Sequence, residues 1–153
     1  MKRARIYKRS NGWYLHPIST TTAGVGMGTP PRIKVAFDAP SDVLGNAVFE
    51  ALNASVQNIP HPPLAELEDR FKPVLELAGV KSWAAFARDA SSVAIEADTS
   101  NEWLIIEAWS NAGPKMGFAP MLGAFVRVRM DAPPAEIGEA INKAMQLSVP
   151  QPP

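Results

Sequence analysis

Carboxylates in the second half of the chain are the side chains best suited to bind a charged partner. A tryptophan follows them closely, and tryptophan is favoured at the centres of protein interfaces. Residues two apart on a strand share a face, so we expect Glu107 and Trp109 to point the same way. The other interpretation is that Trp109 is a buried edge residue and that the charges are merely solvated. The candidate partner-binding residues are Glu96, Asp98, Glu102, Glu107 and Trp109.

A second acidic set lies in the middle of the chain and competes with the first. Basic residues gather instead at the N-terminus and at Arg127 and Arg129. A neutral protein with a segregated acidic face can steer a basic partner onto itself. The members of this competing set are Glu66, Glu68, Asp69 and Glu76.

The sequence offers little for catalysis or metal binding. It has no cysteine, and its two histidines, His16 and His61, each stand beside a proline without an acidic residue or cysteine at ligand spacing. The hydroxyls of Ser19–Thr22 have no motif that would activate a nucleophile. Gly24–Gly28 has the glycines of a phosphate loop, but a strand follows where a dinucleotide site needs a helix. We therefore expect no catalytic residue, no metal and no cofactor.

The composition is that of a globular protein without a charge surplus. The 153 residues fit one domain, and fifteen basic residues balance fifteen acidic ones. That balance argues against a constitutive nucleic-acid binder, which would carry a basic excess. The basic start has no apolar segment behind it, and no apolar run is long enough to cross a bilayer. We expect a soluble protein that is not exported by a signal of its own and does not bind a membrane; its oligomeric state is left open.

The chain contains an internal repeat. Residues 33–40 match 126–133 at an offset of 93, and both segments end in Asp-Ala-Pro. The same offset relates Gly45 to Gly138, while Trp13 aligns with Trp103 at an offset of 90. Two copies of a strands-then-helix unit predict a pseudo-twofold domain.

The repeat predicts an α+β fold built from two β4-α units. Each unit would form a four-stranded antiparallel sheet followed by a helix. The apolar stripe of the helix would pack on the sheet, and the repeated aspartate would cap the first turn of the helix. The glycine within each helix indicates close backbone approach where the helix crosses its sheet, and the aligned tryptophans would occupy equivalent core positions. The expected divisions are unit one over about 3–55, a helical insert over 56–91, unit two over 92–148 and a frayed tail over 149–153.

Several motifs resemble a known family. They are Trp13-Tyr-Leu-His-Pro17 running into Ser19-Thr-Thr-Thr22, Gly28-Thr-Pro-Pro31, and Leu75-Glu-Leu-Ala-Gly-Val-Lys-Ser-Trp83. The chain is similar along nearly its whole length to the CdiI-type immunity proteins of bacterial contact-dependent growth inhibition. The resemblance implies a small cytoplasmic protein that binds the C-terminal toxin domain of a CdiA-type effector, often a nuclease, and blocks its active site. It carries over no interface residue.

The duplicated unit is also similar to the Whirly architecture, which binds single-stranded nucleic acid along a sheet. This alternative function would use basic residues as phosphate contacts. The available ones are Arg5, Lys8, Arg9, Arg127 and Arg129.

Overall fold

A computed structural model describes residues 2–113 and 116–149. Within them the chain forms seven strands and five helices. The first half contains β1 (Arg3–Arg9), β2 (Gly12–Thr20), β3 (Gly26–Gly28), β4 (Ile33–Val35) and α1 (Ser41–Asn53). The insert forms α2 (Leu64–Glu68), α3 (Lys72–Ala78) and α4 (Trp83–Ala87). The second half contains β5 (Ser91–Ala97), β6 (Trp103–Asn111), β7 (Phe118–Arg129) and α5 (Pro134–Leu147).

All seven strands belong to one antiparallel sheet, so the expectation of two separate sheets is wrong. The strand order is β3-β2-β1-β5-β6-β7, and β4 also pairs with β2. The two halves join where β1 pairs with β5, from Arg3 opposite Glu96 to Lys8 opposite Ser91. Two separate sheets would have left both of these strands as edges with unpaired backbone groups, and their pairing satisfies those groups. The fold is mixed α+β.

The main core lies between one face of the sheet, here called the helix face, and the helices α1 and α5. The apolar stripes predicted for both helices are confirmed, since each stripe residue is buried. They are Leu44, Ala47, Val48, Ala51 and Leu52 in α1, and Ile137, Ala140, Ile141, Ala144 and Met145 in α5. The helices begin after Pro40 and Pro133, with no side-chain cap. The predicted aspartate caps are therefore wrong, because Asp38 and Asp131 stand two residues too early.

The two helix glycines permit a reciprocal contact between α1 and α5. A β-carbon on Gly45 would strike the carbonyl oxygen of Pro134 and lie 2.6 Å from its carbonyl carbon. A β-carbon on Gly138 would meet Ser41 in the same way, again 2.6 Å from the carbonyl carbon. Close backbone approach is thus confirmed, but its partner is the other helix and not the sheet.

The aligned tryptophans lie on opposite faces of the sheet. Trp13 pairs with Val35 and is buried in the main core. In the second half, Val128 is the repeat equivalent of Val35. Its partner on β6 is Leu104, and Leu104 takes the buried core position that Trp13 has in the first half. Side chains alternate along a strand, so this displacement by one residue turns Trp103 to the other face. The prediction of a shared core role is wrong for Trp103.

The insert covers one end of the second face of the sheet. Tyr7 and Tyr14 project from β1 and β2 into a small cluster with Val74 and Phe86. The Oγ of Ser82 accepts a hydrogen bond from the amide of Ala85 at 3.1 Å and so caps the N-terminus of α4. The rest of this face is not covered by any described helix, and we call it the open face.

The predicted frayed tail falls mostly outside the described residues. Of 149–153 the structure describes only Val149, whose carbonyl oxygen accepts a hydrogen bond from the amide of Asn111 at 2.8 Å. Among the helices of the described segments, none has the length and apolar character needed to span a membrane.

Candidate functional site

The open face carries a groove of about 430 Å³ along the middle of the sheet. We call it the open groove. Most of its residues come from the neighbouring strands β1, β5 and β6, because pairing places Arg3 opposite Glu96, and Ala94 opposite Glu107. Strand alternation then directs these side chains to the same face. The side chains that line it include Arg3, Arg5, Ile18, Glu96, Ile105, Glu107 and Trp109.

Three of the five predicted partner-binding residues meet in this groove. Glu96 is exposed, and Glu107 and Trp109 are half-buried beside it. Glu107 and Trp109 point the same way, as expected, because both line the groove from β6. With respect to the described parts of the chain, neither Glu96 nor Glu107 forms an ion pair. The groove therefore presents two carboxylates beside an indole.

The other two predicted residues lie in the turn between β5 and β6 and do not line the groove. The carboxylate of Asp98 accepts hydrogen bonds from Ser100 Oγ at 2.8 Å and from the amide of Glu102 at 3.1 Å. It therefore shapes the turn. Glu102 is exposed, and it lines a separate shallow cleft with Arg129 and Asp131.

The structure places Trp109 between the two interpretations made from sequence, and its role at an interface stays a prediction. It is half-buried and lies on β6, an inner strand, with Ser92 opposite it on β5. The guanidinium of Arg5 lies 3.9 Å from the centre of its ring. Its indole nitrogen is buried and has no hydrogen-bond acceptor among the described residues.

Arg5 is a site residue that sequence reasoning did not assign to the groove. Its Nε donates to Ser92 Oγ at 2.8 Å. Burial lowers the pKa of Arg5, while Tyr7 and Glu107 act in the opposite direction. The available signal was the alternation of Arg3 and Arg5 with Ala4 and Ile6, which places both arginines on the face opposite the main core.

A second cavity of about 310 Å³ adjoins the open groove and shares Arg5 and Trp109 with it. We call it the arginine cavity. Its other basic residues are Arg32 from the β3–β4 connection and Arg70 from the insert. His16 lines it as well and is 8% exposed. Burial lowers the pKa of His16 to about 4, while its hydrogen bond to the carbonyl of Pro17 opposes that shift and the charges of Arg32 and Arg5 add to it.

The competing acidic set lies on the insert, away from both cavities. Glu66, Glu68, Asp69 and Glu76 are all exposed, and none of them lines the open groove or the arginine cavity. For residues 2–113 and 116–149, no group of three or more His, Cys, Asp or Glu residues is placed to hold a metal ion.

The sheet packs on α1 and α5 with one face, and its open face carries a groove with two carboxylates that form no ion pair within the described residues and an indole beside them. The family model for CdiI, the CDI immunity proteins, matches residues 2–148. The chain belongs to this family. It is an immunity protein of contact-dependent growth inhibition, and its role is to neutralise a toxin.

Solved structures share the fold over nearly the whole chain. A Neisseria meningitidis protein of unknown function is 18% identical, with a TM-score of 0.80, and the alignment covers 95% of this chain and 93% of that one. A CdiA-CT/CdiI toxin and immunity complex from Yersinia pseudotuberculosis contains a chain that is 16% identical, with a TM-score of 0.78 and coverage of 96% and 97%. The curated proteins include no match.

Proposed function

We propose that the cognate toxin domain, the C-terminal part of a CdiA-type effector, docks on the open groove. The observation that carries this proposal is the convergence of Glu96, Glu107 and Trp109 on one groove with neither carboxylate ion-paired among the described residues. In the similar complex from Yersinia pseudotuberculosis, a CdiI immunity protein is bound to a CdiA-CT toxin.

The charges of the groove favour a basic partner. Arg3 and Arg5 also line it, but both are engaged by the protein itself. Arg3 donates to Thr20 Oγ1 at 2.8 Å, and Arg5 is held by Ser92 and the Trp109 ring. The two glutamates therefore remain available to cationic side chains of a partner, and desolvated charge pairs at interfaces couple strongly.

We infer that the toxin is a nuclease acting in the cytoplasm and that docking occludes its active site. A nuclease must bind phosphates, so its substrate groove is basic. The carboxylates of Glu96 and Glu107, with Trp109 beside them as an apolar anchor, are complementary to such a surface. The active site of the toxin is then occluded directly, because the immunity protein binds the same basic residues of the toxin that the nucleic acid would contact.

The alternative function, binding of single-stranded nucleic acid, has less support because its expected contacts are dispersed. Lys8 lies on the helix face, with its ammonium 4.8 Å from the centre of the Trp13 ring. Arg9 is buried and pairs with Asp89 at 3.2 Å. Arg127 and Arg129 lie over Trp103, at the far end of β7 from the arginine cavity. A labelled oligonucleotide titrated across a salt series separates the two functions, since phosphate contacts give a steep salt dependence.

We also infer that the scaffold arose by duplication of a β4-α unit, as in Whirly-like proteins. This inference is supported by the reciprocal contact of Gly45 with Pro134 and of Gly138 with Ser41. The two contacts are equivalent under the repeat, because the two glycines are 93 positions apart, and so are Ser41 and Pro134. In this account β3 and β4 together correspond to the single long strand β7.

The test is the affinity of the cognate toxin domain for single charge-reversal variants. We expect Glu96→Lys and Glu107→Lys each to weaken binding by about tenfold or more, because a buried interfacial pair is worth about 1.5 kcal/mol or more. The matched controls are Glu102→Lys in the turn and Glu66→Lys on the insert. We expect both of them to leave the affinity unchanged. If Glu96→Lys and Glu107→Lys both stay folded and leave the affinity unchanged, the docking site lies elsewhere.

A further inference from the structure

The arginine cavity has a charge that the toxin-docking proposal does not use. Within the described parts of the chain, Arg5, Arg32 and Arg70 line it, and no aspartate or glutamate does. In a protein whose total charge is zero, this is a local excess of three positive charges. Among the described residues, none of these three arginines forms an ion pair.

Its hydrogen-bond donors also exceed its acceptors. A guanidinium carries five N–H donors. Arg5 uses Nε on Ser92, Arg32 donates to the carbonyl of Gly28 at 3.2 Å, and Arg70 donates to the carbonyl of Leu67 at 2.7 Å. The remaining guanidinium N–H groups have no acceptor within the described part of the chain, nor has the buried indole N–H of Trp109. These guanidinium N–H groups are therefore free to donate to an anion that enters the cavity.

The walls of the cavity make it selective for an anion. Trp83, Phe118 and Tyr7 form an apolar side, where a charge pair is screened less than in water. Gly28 opens the opposite side, since a β-carbon there would lie 2.8 Å from the His16 ring. His16 is neutral near pH 7, because its pKa is about 4, so the positive charge comes from the arginines.

We propose that the arginine cavity is an oxyanion-binding site that takes one phosphate or carboxylate group. Planar guanidinium groups match the geometry of both, and such charge-assisted hydrogen bonds are stronger than neutral ones. The site is distinct from the docking residues Glu96 and Glu107, so it does not depend on the proposed function. The anion comes either free from solution or from an acidic side chain of the toxin.

The test uses inorganic phosphate and the immunity protein alone. Phosphate is titrated calorimetrically at constant ionic strength, with acetate and chloride as comparison anions. We expect phosphate and acetate to bind and chloride not to. Arg32→Gln and Arg70→Gln should each weaken phosphate binding by about tenfold or more, the loss typical of a hydrogen bond to a charged group. Arg88→Gln is the matched control, since Arg88 is exposed on the insert and does not line the cavity.

Two results would overturn the site: phosphate binding no tighter than chloride binding, or equal loss in the Arg88 control. Circular dichroism of each variant verifies folding, and neither Arg32 nor Arg70 belongs to a hydrophobic core cluster. A second titration into the immunity–toxin complex identifies the source of the anion. Exclusion of phosphate from the complex assigns the anion to the toxin, and unchanged binding assigns it to a free ligand; both results uphold the site.

Discussion

The guanidinium of Arg5 lies 3.9 Å from the centre of the Trp109 ring, and this pair forms the wall between the open groove and the arginine cavity. An arginine over an indole face is a favourable cation–π contact. The contact holds the indole ring at the edge of the groove and keeps the guanidinium of Arg5 against the open face of the sheet. The two sites therefore share a single structural element.

The first prediction concerns Trp109 as the apolar anchor of the docking surface. Trp109→Ala should weaken toxin binding by roughly 30-fold or more, since tryptophan anchors at interfaces contribute about 2 kcal/mol or more. Trp103→Ala is the control, because Trp103 is also half-buried on β6 but does not line the groove. Equal losses in the two variants, measured by calorimetry, would contradict an anchor role.

The second prediction concerns the helix crossing. Alanine in place of glycine inside a helix ordinarily stabilises it by about 1 kcal/mol. Here Gly45→Ala and Gly138→Ala should each instead lower the free energy of unfolding by about 3 kcal/mol, because the added methyl meets backbone that cannot move aside. Urea unfolding measures this, and a stabilising effect at either position would show that the helices do not touch there.

The third prediction is a loss of stability in acid caused by His16. Its folded pKa of about 4 lies below its ordinary value of 6.5, so the unfolded chain takes up this proton first as the pH falls. The stability from neutral His16 is complete above pH 6.5 and is lost between pH 6.5 and 4, by on the order of 3 kcal/mol. In urea unfolding across this range, His16→Gln should remove most of that loss, whereas His61→Gln at an exposed position should retain it. An unchanged pH dependence in His16→Gln would contradict the assignment.

The helices and their buried faces followed from sequence because their signals are local. The stripe that begins at Leu44 recurs at Ile137 with the same spacing, and an apolar period of 3.6 residues indicates an amphipathic helix. The pairing of β1 with β5 left no such signal, since it joins residues about 90 positions apart through backbone groups that every residue carries. The same limit explains the error at Trp103, where one residue of displacement reverses the face.

The candidate site was predicted only in part, for a related reason. Glu107 and Trp109 could be placed on one face by alternation within a single strand. Asp98 could not be told from a binding carboxylate, because its role depends on hydrogen bonds in its own turn. The arginine cavity draws Arg5, Arg32 and Arg70 from three distant segments, so only the folded chain brings them together.

Photo-crosslinking to the toxin tests the docking face most directly. The chain offers a matched pair, Phe125 and Phe37, each 51% exposed. Phe125 is paired with Glu107 beside the open groove, whereas Phe37 lies on the helix face near Lys8. With a benzophenone amino acid at each position in turn, the account predicts a crosslink to the toxin from position 125 and none from position 37. A crosslink from position 37 alone would contradict it.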